Sequence, residues 1–93
     1  MAYIIVVDDD DSYRDYAAAI LKSAGHRVVL ATTGRQVIEL AAADSPDLVV
    51  ADINMPGLSG LELVEILNAP EERRWVPVIL MSAMNDRAAL TSA

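Results

Sequence analysis

The chain has 93 residues and no cysteine, and its 14 Asp plus Glu against 7 Lys plus Arg give a net charge of -7. That length allows one domain, and an acidic chain with no basic run longer than Arg73-Arg74 argues against a nucleic-acid or polybasic membrane module. Disulfides, thiolate metal sites and cysteine nucleophiles are excluded; no stretch approaches the roughly 20 apolar residues that cross a bilayer, and the start Met-Ala-Tyr-Ile has no basic leader, so a cytoplasmic protein whose chemistry rests on carboxylates is expected.

Residues 3–7 (Tyr-Ile-Ile-Val-Val) give the first strand, followed by Asp8, Asp9, Asp10 and Asp11. The spacing then predicts a helix over 12–24. Tyr13, Tyr16, Ala17, Ile20, Leu21 and Ala24 make one apolar stripe toward the core, and Gly25 stops the helix. Residues 27–31 give the second strand, with His26 read as a surface residue before it. A second helix over 34–43 carries Val37, Ile38 and Ala41 on one side and ends ahead of Pro46. Residues 47–51 are the third strand. Ser59-Gly60-Leu61-Glu62 has the S-x-x-E form of a capping box and opens a third helix, with Leu61, Val64 and Leu67 expected to face the sheet. Residues 76–81 are the fourth strand, with Trp75 packing at its start, and 82–90 read as a loop and the first turns of a further helix.

All four strand candidates are continuous apolar runs, which suits a parallel sheet covered on both faces. Right-handed crossovers then put helices on either side, and ligands gather outside the carboxyl ends of the strands. Asp8 and Asp9 follow the first strand there, Asp52 follows the third and Ser82 the fourth. Carboxylates gathered at one edge repel one another and call for a hard divalent cation, for which Mg²⁺ fits an all-oxygen donor set best. Asp52 is then ligand and nucleophile toward phosphorus, with Ser82 donating to a phosphoryl oxygen. Asp10 and Asp11 read as caps of the first helix.

Three motifs at three strand ends, Val6-Val7-Asp8-Asp9, Asp52-Ile-Asn-Met-Pro-Gly-Leu-Ser-Gly60 and Val78-Ile-Leu-Met-Ser-Ala83, resemble the receiver domain of two-component response regulators across essentially the whole chain. The resemblance implies an α/β, flavodoxin-like doubly wound parallel sheet. It implies that Asp52 takes a phosphoryl group from a sensor histidine kinase or phosphotransfer protein. Asp8 and Asp9 would then hold Mg²⁺ together with Asp52 and the backbone carbonyl of Asn54, and Ser82 would be the switch hydroxyl. Met55, Pro56 and Gly60 would shape the loop after the acceptor, with Gly60 expected at positive φ.

The chain departs from the family pattern at its C-terminal side. The sheet order is expected as 2-1-3-4, with the fifth strand, its lysine and the last helix missing; the sole lysine is Lys22. Residues 76–81 would then be a bare apolar edge that favours a homodimer or strand-exchanged oligomer. Two other readings follow. One is an interaction module without productive phosphorylation; the other is a metal-dependent phosphatase, disfavoured because residues 52–54 read Asp-Ile-Asn and not D-x-D.

Overall fold

The computed structural model describes residues 1–53, 57–68, 76–81 and 91–92. The elements run β1 (Tyr3–Val7), α1 (Asp11–Ser23), β2 (Arg27–Ala31), α2 (Gly34–Ala43), β3 (Leu48–Asp52), α3 (Gly60–Leu67), β4 (Val78–Met81) and β5 (Thr91–Ser92). One sheet has the order β2-β1-β3-β4-β5. Its first four strands are parallel, and β1 is an interior strand, with Val6 level with Leu30 on one side and Val50 on the other.

The bare edge expected beyond β4 is corrected. Thr91–Ser92 pairs antiparallel with it, opposite Leu80 and Ile79. An apolar strand with open backbone donors and acceptors is a template for another strand, and here the same chain supplies one.

Alternate residues of the central strands serve two cores, because successive side chains leave a strand on opposite faces. Ile5, Val7, Val49, Ala51, Val78 and Leu80 pack with Val37 of α2 and with Leu63 and Leu67 of α3. Ile4, Val6 and Val50 pack on the other face with Ala17 and Leu21 of α1. Burial on both faces is why these strands read as unbroken apolar runs.

Two helices turn differently from the expected faces. In α1 the apolar stripe is wider than the surface it covers: Ala18 is buried and Ala17 and Leu21 meet the sheet, while Tyr13, Tyr16 and Ile20 are exposed. In α3 the fully buried residue is Leu63; Leu61 is 58% exposed. With only eight residues to place, the helix aims Leu63, Val64 and Leu67 at the core and turns Leu61 away.

The helix ends follow local chemistry. Asp10 caps α1 by accepting from the Ser12 and Tyr13 amides. After Ala24 the chain turns through Gly25 at φ 91°, and the Gly25 and His26 amides donate back to Lys22 and Leu21. This pair of bonds closes a Schellman motif. Both bonds of the Ser59–Glu62 capping box are present in α3. His26 is only half-exposed, and its Nδ1 accepts from the Ala2 amide at 3.0 Å, which corrects its reading as a plain surface residue. The α3–β4 connection is closed by Asn68, whose side chain accepts from the Val76 amide and donates to the Val76 and Val64 carbonyls.

Candidate functional site

The topology brings the carboxyl ends of β1 and β3 side by side, since Val7 is level with Ala51. Asp8 is the first residue after β1 and Asp52 the last of β3, one position inside the strand where the sequence had set it just beyond. Asp8 is 2% and Asp52 6% exposed, and they are the buried charged residues of the described chain. Asp9 is exposed beside them, and one carboxylate oxygen from each of Asp8, Asp9 and Asp52 lies within 4.8 Å of the others. The structure therefore brings together the three carboxylates that the sequence proposed. Asn54 and Ser82, also proposed for the site, lie outside the described residues, as do Met55, Pro56 and Trp75.

Asp8 is fixed from several directions. Its amide donates to the Ala31 carbonyl of β2 at 3.3 Å, its Oδ1 accepts from the Asp10 amide at 2.9 Å, and its carbonyl accepts from Arg14 Nη1 at 3.0 Å. Burial pushes the Asp8 carboxyl above its ordinary value. The Asp10 amide works against that, and the neighbouring charges of Asp52 and Asp9 add to it. Three carboxylates this close repel one another, and an acidic cluster of this kind is a candidate site for a divalent cation.

Behind Asp52 the chain has little room. A Cβ on Gly60 would lie 2.5 Å from the Asp52 carbonyl oxygen and 2.8 Å from Leu80 Cδ2, and the Gly60 amide donates to the Ile53 carbonyl at 3.1 Å. The positive φ expected at Gly60 is instead at Gly57, φ 81°. Gly60 is required for close approach and Gly57 for the turn. Arg14 is absent from the expected set of residues. Its signal in the sequence is the i,i+3 spacing from Asp11 in the first turn after the acidic run, which reads equally well as a surface ion pair.

A cavity of about 600 Å³ is lined by residues of α2 such as Ile38 and Glu39, by Gly57 and Leu58 ahead of α3 and by Ile66 within it, and none of the three carboxylates lines it. Glu39 is the one acidic residue among the described residues of that lining. Among the described residues no helix is long and apolar enough to cross a membrane.

Known proteins share this arrangement. Residues 4–93 match the family described as response regulator receiver domain. The chain is 37% identical over 82 residues to protein PilH of Pseudomonas aeruginosa, covering 88% of this chain and 68% of PilH. It is 33% identical over 86 residues to the transcriptional regulatory protein AfsQ1 of Streptomyces coelicolor, covering 92% of this chain but only 37% of AfsQ1. The structure of the chemotaxis protein CheY4 of Vibrio cholerae superposes with a TM-score of 0.82 at 27% identity, over 95% of this chain and 73% of CheY4. With its sheet order, its paired acids after β1 and its aspartate ending β3, the chain belongs to the receiver-domain family of two-component response regulators.

Proposed function

We propose that this receiver accepts a phosphoryl group on Asp52, from a histidine kinase or phosphotransfer protein, at a Mg²⁺ site built by Asp8, Asp9 and Asp52. The observation that carries the reading is the convergence of those three carboxylates, two of them buried, at the strand ends. Their donor set fits the ion: all oxygen, strongly anionic, and open on the side of exposed Asp9. When bound, Mg²⁺ supplies positive charge that offsets both the carboxylates and the phosphoryl oxygens.

The protein's own part is positional. β3 presents the Asp52 carboxylate at the sheet edge, and one of its oxygens attacks phosphorus. The P–N bond of the donor phosphohistidine breaks, its electron pair returns to the imidazole, and the product is an acyl phosphate on Asp52. Asp8 and Asp9 would hold the cation with Asp52, and their place at the end of β1 and the Arg14 contact to the Asp8 carbonyl support them. In this reading the Asn54 carbonyl completes the ligand set and the Ser82 hydroxyl donates to a phosphoryl oxygen, both by their places in the motifs. The domain acts as a switch inside the cell and not as a turnover enzyme.

The test is the intact mass of the chain after incubation with Mg²⁺ and acetyl phosphate, beside Asp52→Asn and a chelator control. The expected result is one phosphoryl adduct that requires both Asp52 and Mg²⁺. No adduct from a folded chain overturns phosphotransfer and favours an interaction module; steady release of phosphate from a phosphomonoester favours a phosphatase.

A further inference from the structure

We infer that Arg14 is a positioning residue for the acidic site, acting through the backbone of Asp8; the inference rests on the Mg²⁺ reading above. Its guanidinium donates from Nη1 to the Asp8 carbonyl at 3.0 Å and from Nη2 to the Asp11 carboxylate. The two ends of this contact are unlike. The Arg14 side chain is 11% exposed, whereas Asp11 is 81% exposed. An ion pair with a solvated carboxylate is worth little and gives no reason to bury a guanidinium. The partner on the buried side is the carbonyl of the residue that carries the first site carboxylate.

The main chain of Arg14 closes the same turn, its amide donating to the Asp10 carbonyl at 3.0 Å. Residues 8–10 are thus spanned by one residue of α1, which bonds Asp8 through its side chain and Asp10 through its backbone. Between those anchors sits Asp9, the exposed member of the carboxylate cluster. The planar fork of arginine allows both side-chain contacts at once and fixes their separation, which an ammonium does not. Arg14 thereby holds the β1–α1 turn in the one shape that aims Asp8 and Asp9 toward Asp52. Without it, the turn keeps the Asp8 bonds to the Ala31 carbonyl and the Asp10 amide but loses its tie from α1 to the Asp8 carbonyl, which loosens Asp8 and Asp9 against the repulsion of Asp52.

The experiment is Mg²⁺ titration by calorimetry of the unaltered chain, Arg14→Met, Asp11→Asn and Asn68→Ala, each checked for a cooperative melt. Removing an outer hydrogen-bond partner of a metal ligand costs about 10–100-fold in affinity. Arg14→Met is expected to lose about tenfold, while Asp11→Asn, which keeps the contact to the Asp8 carbonyl, binds as the unaltered chain does. Asn68→Ala, at the α3–β4 connection, is expected to lose stability but not affinity. Arg14→Gln replaces Arg14→Met, with the same expectation, where the latter fails to fold. Undiminished affinity in a folded Arg14 variant overturns the inference, as does an equal loss in Asn68→Ala, which would reduce the effect to general stability. No Mg²⁺ binding by the unaltered chain overturns the underlying reading instead.

Discussion

The main-chain oxygen of Asp52 and the α-carbon of Gly60 are packed so closely that a single added methyl group would sit 2.5 Å from that oxygen. The start of α3 is thereby pressed against the backbone of the proposed phosphoacceptor. In Gly60→Ala the Leu80 side chain can shift but the nearest obstacle, the Asp52 main chain, cannot. The substitution is expected to destabilise the fold by about 1–3 kcal/mol, the usual range for overpacking. Because the strain falls on Asp52, the rate of adduct formation by intact mass should fall as well. Gly25→Ala tests a different cost, since open space surrounds its Cβ position and only the positive φ is strained. It should lower the melting midpoint without changing that rate.

Asp8 sets the expected pH dependence. Burial and the charges of Asp52 and Asp9 raise its carboxyl above the ordinary 3.8. The folded state therefore binds this proton more tightly than the unfolded chain. The stability contributed by protonated Asp8 is complete below the unfolded value and is lost as pH rises through the raised folded value. In chelator, the melting midpoint of the unaltered chain is expected to fall across that window relative to Asp8→Asn. At neutral pH the variant melts higher, by about 4–8 °C if the relief is about 1 kcal/mol in a domain of this size. Saturating Mg²⁺ should reverse the order, stabilising the unaltered chain more than the variant. Thermal melts against pH, with and without Mg²⁺, check both statements.

Asn68 bonds both backbone groups of Val76 and the Val64 carbonyl. Asn68→Ala deletes these three bonds and leaves the Val76 amide and carbonyl short of partners in a half-buried place. The expected cost is about 2–3 kcal/mol in urea unfolding, and Asn68→Asp, which keeps an acceptor for the Val76 amide but sets a carboxylate oxygen against the Val64 and Val76 carbonyls, should not recover it. Phosphorylation at Asp52, at the opposite end of β3, is expected to proceed at an unaltered rate in both.

Much of this arrangement is legible in the sequence, for reasons visible in particular residues. The run at 3–7 becomes a strand at that position because a parallel strand buried on both faces needs unbroken apolar residues, whereas 27–31 forms the outer strand, of which only Ala31 is buried. Asp8, Asp9 and Asp52 are legible because topology alone puts strand ends together. The failures come from places where local pattern and tertiary demand part. Tyr13 and Tyr16 fit a helical stripe, yet α1 meets the sheet core through Ala17 and Leu21 and leaves both tyrosines exposed. Gly60 advertises a special backbone but not which kind, because a close approach to Asp52 arises only once α3 docks. Arg14 and Asn68 are hidden for a related reason: a polar side chain that bonds distant backbone carries no periodicity.

The position of β1 between β2 and β3 has a consequence for how the molecule assembles. Val6 waits for Leu30 on one side and for Val50 on the other, and β3 in turn waits for β4. None of these parallel pairings is closed by a tight turn, so each requires a crossover before any ladder bond forms. Strand pairing of this kind pays loop-closure entropy in advance and folds slowly for its size. On a ribosome the first strand emerges as a naked apolar segment whose second neighbour is not yet made. The acids that follow it, Asp8 to Asp11, have the form of a charged flank that opposes premature association of an apolar strand, a use separate from the proposed site of Asp8 and Asp9.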